Sequence, residues 1–108
     1  MTVLAMEAAQ ELEGKISVKV INVSTIKPMD KEVIASLAMD CKAVVTAEEH
    51  SVVGGLGSAV AEALCKACKP IEFLGIRDTF GCSAHCYQDV LAYHGLTKKA
   101  IIEAVEKM

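Results

Sequence analysis

Apolar positions recur at helical spacing in some parts of the chain and cluster as short runs in others. Residues 3–12 carry apolar side chains three and four positions apart, which predicts a helix ending at Gly14. Residues 16–23 are rich in β-branched side chains and predict a strand. Lys27-Pro28 then breaks the chain, and Asp30 is typical of a residue that caps the N-terminus of a helix.

The second half of the chain repeats this alternation. Ala43–Ala47 has few polar groups, which is typical of a parallel strand covered on both faces. A helix is predicted from about 55 to 68 and is stopped by Pro70, a third strand over 71–76, and a loop over 77–84. Two helices follow, one ending at Gly95 and one capped by Thr97.

The predicted order is therefore α-β-α-β-α-β-α-α, which indicates an α/β fold with a parallel sheet and right-handed crossovers. Such domains usually begin with a strand, whereas this pattern begins with a helix. Three strands also make a narrow sheet for so many helices. We therefore expect either that the chain is a fragment or that another polypeptide supplies a missing strand.

Composition narrows the class of protein. A chain of 108 residues is expected to form one domain, residues 1–108. With 53% apolar residues, part of its surface is expected to face another domain or subunit. The net charge of −3 and scattered basic residues argue against nucleic acid as a partner. No membrane span or signal pattern is present, and five irregularly spaced cysteines favour reduced thiols and the cytoplasm.

The strongest candidate site follows the second predicted strand. A polar corner lies at the carboxyl end of that strand, where open α/β sheets bind ligands, and glycines then open a helix whose N–H groups suit an anion. One reading is a phosphate or carboxylate site with a histidine acid or base; the other is tight turning with interdomain contacts, which we favour. The residues concerned are Glu48, Glu49, His50, Gly54, Gly55, Gly57 and Ser58.

Arg77 and Asp78 end the third predicted strand. They could join the anion site, although a local ion pair is the favoured interpretation. The glycine spacing is not the dinucleotide-binding fingerprint.

The cysteines and histidines suggest two further sites, and both are disfavoured. Cys65 and Cys68 have redox spacing but lie at a helix C-terminus, where the dipole opposes a thiolate. Together with Cys82 and Cys86, and with His85 as a spare donor, their spacing resembles a zinc site. The strand over 71–76 separates the two pairs by roughly 20 Å, too far for one ion.

Four motifs resemble one known family, the C-terminal domain of transketolases, including split enzymes in which this half is a separate subunit. They are VINVSTIKPMD (20–30), VVTAEEHSVVGGLGSAVAEAL (44–64), GIRDTFG (75–81) and GLTKKAIIEAV (95–105). The second motif is closer to transketolases than to deoxyxylulose-phosphate synthases or 2-oxoacid dehydrogenase β subunits. The resemblance implies a three-layer α/β/α sandwich on a mainly parallel sheet, with a Rossmann-like arrangement, whose first two strands lie upstream of the first helix.

The resemblance also implies a function. The parent enzyme would transfer two-carbon ketol units between sugar phosphates, as in the pentose phosphate pathway, using thiamine diphosphate and a divalent metal held by other domains. This chain would be an accessory, dimer-supporting transferase domain, inactive alone, with no catalytic, cofactor or metal residues. Its partners would be the upstream domains or N-terminal subunit, and it would form a homo-oligomer.

Two departures from the family stand out: the opening strands have no counterpart, and the loop GCSAHCYQD (81–89) is unusual. The alternative function is a stand-alone module that binds a small anionic ligand at Gly54–Ser58.

Overall fold

A computed structural model describes all 108 residues. Its elements in chain order are α1 (Thr2–Glu11), α2 (Lys31–Ala38), β1 (Val44–Ser51), α3 (Leu56–Leu64), β2 (Ile71–Ile76), α4 (Tyr87–Tyr93) and α5 (Lys98–Glu106). The predicted helices are thus all present, and the predicted second and third strands are β1 and β2. No helix is both long and apolar enough to cross a membrane.

The two strands form a parallel sheet. Val44 pairs with Ile71, and the register runs without interruption to the pair Ala47 and Leu74. Beyond Ala47 the register shifts, since Ser51 lies opposite Ile76. The residues between them form a bulge in β1, and bulges commonly re-aim side chains next to functional sites.

Helices cover both faces of this small sheet. Helix α3 packs on β1 and on α2, whereas α5 packs on both strands and on α1. Ala38, Val60 and Leu64 form the buried cluster on the first side. On the other side the buried residues include Ala8, Leu12, Ile101 and Ala104. The arrangement is the predicted three-layer α/β/α fold, with the sheet reduced to two strands.

Local sequence signals account for most helix ends. The Asp30 side chain accepts a hydrogen bond from Val33 N at 3.0 Å, and Thr97 Oγ1 accepts one from Ala100 N at 3.2 Å. Helix α3 ends at Leu64, earlier than the predicted end near 68. Residues 65–68 form turns instead, because Pro70 has no N–H and disfavours helical geometry just before it.

The predicted strand over 16–23 is not formed, and this prediction is wrong. Residues 17–26, here called the unpaired segment, adopt no regular secondary structure. None of their backbone groups takes part in a backbone–backbone hydrogen bond. Side chains hold the segment in place: Lys19 Nζ donates to Leu37 O at 3.0 Å, and Thr2 Oγ1 donates to Asn22 Oδ1 at 3.0 Å. A strand requires a neighbour, and β1 pairs only with β2.

Candidate functional site

The predicted site residues lie on two stretches of chain that follow β1 and β2. Because parallel strands end at the same edge of a sheet, these stretches are neighbours. We call residues 48–58 the glycine corner and residues 77–86 the β2–α4 loop. Strand β1 runs to Ser51 rather than to the predicted end at Ala47. Glu48, Glu49 and His50 therefore belong to the bulged end of the strand.

Glu48 is the centre of the glycine corner. It is only 7% exposed, and its carboxylate accepts hydrogen bonds from Leu56 N at 2.6 Å and Gly57 N at 2.8 Å. These two N–H groups belong to the first turn of α3, which has no partners for them within the helix. A carboxylate is stabilised there by the hydrogen bonds and by the helix dipole. Glu48 thus caps α3 from the preceding strand.

Ser58 completes the turn between β1 and α3. Its hydroxyl accepts a hydrogen bond from Gly54 N at 2.9 Å and donates one to Val52 O at 3.2 Å. Gly54 has a φ of +77°, a conformation that residues with a side chain rarely adopt. The turn is therefore closed by its own side-chain hydroxyl.

The other glycines allow close approach rather than unusual backbone angles. A Cβ on Gly55 would overlap the Glu48 carboxylate and lie 2.5 Å from Ser51 O. A Cβ on Gly57 would overlap the ring of Phe73. A Cβ on Gly75 of β2 would lie 2.7 Å from Val52 Cγ1. The glycines thus bring α3 and the corner onto the sheet, as the packing interpretation of the sequence expects.

The same contacts bear on the alternative anion site at Gly54–Ser58. The N–H groups of Gly54, Leu56 and Gly57 are bonded to Ser58 and Glu48. An external anion would have to displace a buried carboxylate and overcome repulsion from it. The geometry of the corner is that of an internally capped helix.

Glu49 points to the outside of the corner and has different partners. It accepts hydrogen bonds from the Tyr87 hydroxyl and from the Met1 ammonium group, the latter at 2.9 Å. The Tyr87 hydrogen bond, followed by the ammonium group, lowers the pKa of the Glu49 carboxyl below its ordinary value. In turn the carboxylate raises the pKa of the Tyr87 phenol. The contact between Tyr87 and Glu49 joins residues 38 positions apart, so no local sequence pattern indicates it.

The remaining predicted residues are exposed. His50, Arg77 and Asp78 all lie on the surface. Arg77 and Asp78 take part in none of the salt bridges in the structure, so the local ion pair predicted between them is not formed. Both side chains are exposed, so water solvates each charge, and an ion pair between exposed groups contributes little to stability.

The two cysteine pairs lie on either side of β2 in the chain. Cys65 and Cys68 are exposed after α3, and Cys82 and Cys86 lie in the β2–α4 loop. No three His, Cys, Asp or Glu side chains gather into a group able to hold a metal ion.

Two apolar side chains stand out at the strand ends. Val53 in the glycine corner is 76% exposed, and Phe80 in the β2–α4 loop is 98% exposed. Thr46, two residues before Glu48, is the opposite case: it is 4% exposed and its hydroxyl has no hydrogen-bond partner. The sequence pattern did not indicate that Val53 and Phe80 would be exposed or that the Thr46 hydroxyl would lack a partner.

These features define the class of protein: an α/β domain in which a bulged parallel strand caps the next helix through its own glutamate. Residues 1–101 match the family model described as "Transketolase, C-terminal domain". The chain belongs to this family, and the resemblance inferred from its motifs is confirmed.

Individual relatives support the same assignment. The chain is 44% identical over 106 residues to the 6-deoxy-6-sulfo-D-fructose transketolase subunit SqwH of Clostridium sp. strain MSTE9, covering 96% of this chain and 33% of that protein. It is 37% identical to a 1-deoxy-D-xylulose-5-phosphate synthase of Acinetobacter baumannii, covering 96% of this chain and 17% of that protein. The chain therefore spans a third or less of the length of these relatives.

A solved structure confirms the fold. A protein titled "Split gene transketolase, inactive beta4 tetramer" superposes with a TM-score of 0.87 at 42% identity. The match covers 98% of this chain and 35% of that one.

Proposed function

We propose that residues 1–108 act as one accessory, dimer-supporting domain of a transketolase-type enzyme that transfers two-carbon ketol units between sugar phosphates. The unpaired segment is the observation that carries this proposal. Its backbone is free to form a strand, and a domain that leaves ten residues unpaired is suited to work with upstream polypeptide. That polypeptide is either the preceding domains of one chain or a separate N-terminal subunit.

The composition of the unpaired segment supports a partner strand. Val20 is 36% exposed, Ile21 39% and Ile26 45%, although β-branched residues of this kind are usually found in sheets. The N–H and C=O groups beside them make no backbone–backbone hydrogen bond. A strand added alongside would satisfy these groups and cover the apolar side chains at the same time.

The strand ends supply a second contact surface. Val53 follows Glu49 and His50 in the glycine corner, Phe80 lies in the neighbouring β2–α4 loop, and all four side chains are exposed. Exposed apolar side chains among polar ones are typical of a protein–protein contact. We therefore assign the outer side of the glycine corner to contact with the upstream domains, and its inner side to capping α3.

The reaction that we propose for the whole enzyme is inferred from membership of the family. Thiamine diphosphate and a divalent metal would be bound by the upstream polypeptide, and no residue of this chain is assigned to them or to catalysis. We expect a cytoplasmic homo-oligomer. The relatives' names differ in substrate, and ketol transfer between sugar phosphates is the proposal tested below.

The test is reconstitution with the polypeptide encoded immediately upstream. The chain alone is expected neither to bind thiamine diphosphate nor to turn over sugar phosphates. Adding the upstream polypeptide should give thiamine-diphosphate-dependent ketol transfer. In hydrogen exchange, the amides of residues 18–23 should exchange rapidly in the chain alone and slowly in the complex, because they gain strand partners.

Cofactor binding or turnover by the chain alone would overturn the accessory role. A complex in which residues 18–23 still exchange rapidly would overturn the assignment of the unpaired segment. Amides of α3 serve as the internal control, since their hydrogen bonds are already made within the helix of the chain alone.

A further inference from the structure

The unpaired segment lacks the features that usually keep an exposed edge from pairing with another chain. Natural sheet edges are protected by charged side chains, prolines or bulges. Residues 17–26 contain no proline and a single charged residue, Lys19. The Nζ of Lys19 donates a hydrogen bond to Leu37 O at 3.0 Å, so this charge is turned toward the last turn of α2. The segment is therefore open to pairing with a second strand.

A second copy of the chain carries a segment in the same condition. Apart from the half-buried Val18 and Val23, every residue of the unpaired segment is exposed. None of its backbone groups is used in a backbone–backbone hydrogen bond. Two copies could therefore each supply the N–H and C=O groups that the other lacks, together with β-branched side chains suited to a sheet.

The sequence of the segment is complementary to itself in one antiparallel register, with a two-fold axis at Asn22. In such a pair, side chains directly opposite each other lie on the same face and contact each other. Ile21 of one copy then lies opposite Val23 of the other. Val18 lies opposite Ile26. Apolar side chains thus face apolar side chains on both sides of the axis.

Charge also favours this register. Lys19 of one copy lies opposite Thr25 of the other, and the two lysines are six residues apart along the pair. At about 3.3 Å per residue their separation is roughly 20 Å, well beyond the Debye length of about 8 Å at physiological ionic strength. A parallel pair in register would instead place the two lysines side by side, where like charges are destabilising.

We propose that two copies of the chain associate through their unpaired segments, as antiparallel strands centred on Asn22, when no upstream polypeptide covers the segment. Both copies use the same surface, so the contact closes on itself as a dimer. A two-stranded contact is small, and we expect a dissociation constant on the order of 100 µM. The dilute chain is then a monomer. The contact needs only this chain, so its failure would leave the transketolase role untouched, and the reverse also holds.

Sedimentation equilibrium of the chain over a range of concentrations is the first test. The average mass should rise with concentration from 11.5 kDa toward twice that value. Amides of residues 18–26 should exchange more slowly in the concentrated sample than in the dilute one, because they gain strand partners. A reducing agent prevents disulfides between the exposed cysteines of different copies. A chain that remains monomeric at about ten times the expected dissociation constant overturns the proposal.

Two charge variants test the register. Asn22→Asp places two carboxylates directly opposite each other at the axis and should weaken dimerisation about fivefold. It retains an oxygen that can accept the hydrogen bond from Thr2 Oγ1. Thr25→Asp adds the same charge to each copy but faces Lys19, so it should weaken dimerisation by less than about twofold or strengthen it. Circular dichroism reports whether each variant is folded. Equal weakening by the two folded variants, or none by Asn22→Asp, overturns the pairing centred on Asn22.

Discussion

The glycine corner and the unpaired segment differ in whether their backbone polar groups have hydrogen-bond partners within the chain. In the corner, N–H groups that the helix leaves without partners are bonded to Glu48 and Ser58. In the unpaired segment, ten consecutive residues make no backbone–backbone hydrogen bond and expose Val20, Ile21 and Ile26.

The difference separates the part of the domain that is satisfied within the chain from the part that we propose to work with a partner. Buried N–H groups without acceptors are costly, so the corner has to be satisfied within the chain. The unpaired segment is exposed, and water can satisfy it until a strand replaces the water. The glycine corner therefore serves internal packing. The unpaired segment, which is rich in β-branched residues, is where we expect upstream polypeptide to bind.

The largest expected effect comes from proline in the unpaired segment. Adjacent residues of a strand direct their N–H groups to opposite sides, so Val20→Pro and Ile21→Pro test both edges. A lost ladder hydrogen bond and strained backbone cost about 3 kcal/mol, or roughly a hundredfold in affinity. At least one variant should therefore assemble poorly with the upstream polypeptide, as measured by calorimetric titration.

The isolated chain is the control for this experiment. Both proline variants should unfold within about 0.5 kcal/mol of the unaltered chain, because no backbone hydrogen bond is lost. Ile21→Thr keeps the N–H group and the β-branched shape and should assemble normally. Normal assembly of both proline variants would show that the segment does not become a paired strand.

The second-largest expected effect is on the stability of the glycine corner, and it is measured on the chain alone. Glu48→Ala leaves the buried N–H of Gly57 and the half-buried N–H of Leu56 without acceptors, which should lower the free energy of unfolding by about 2–4 kcal/mol. Glu48→Gln retains one acceptor oxygen and should lose less. Urea unfolding measures both, with Glu106→Ala on the exposed end of α5 as the control. A loss no larger than in that control would mean that the cap is dispensable.

Close packing in the corner gives the third effect. Gly57→Ala places a methyl group against the Phe73 ring and should destabilise the chain by about 1–3 kcal/mol in urea unfolding. Gly81→Ala is the matched control, since a Cβ there meets no atom within 4 Å. Equal stability of the two variants would contradict the close approach of α3 to the sheet.

The smallest expected effect is a change in the pKa of Glu49, the exposed glutamate of the glycine corner; Glu48 is the buried one. Tyr87→Phe removes the strongest cause of the lowered Glu49 pKa, which should move up toward its ordinary 4.5 in an NMR titration. Since the folded pKa is the lower one, the stability that this contact contributes is present above pH 4.5 and disappears as pH falls through the folded pKa. Tyr93→Phe, which alters an exposed tyrosine without a hydrogen bond, should leave the Glu49 pKa unchanged. No movement in Tyr87→Phe would contradict the contact.

Sequence reasoning succeeded where the signal is local. Asp30 and Thr97 cap their helices as predicted, because the capping oxygen and the N–H that donates to it lie three residues apart. The apolar run of β1 and the turn at Pro70 were likewise recognisable within a few positions. Sequence reasoning failed for residues 16–23, whose composition is that of a strand but which lie beside neither β1 nor β2 in the sheet.

The chain's own sequence determined its family, its helices, the two paired strands and the glycines that mark the corner. Only the tertiary structure decided that Glu48 fills the N-terminus of α3, because that contact spans eight residues across a bulge and no local pattern encodes it. It also decided that residues 17–26 stay unpaired. Periodicity reports which residues suit a strand, whereas pairing is a property of two segments brought side by side.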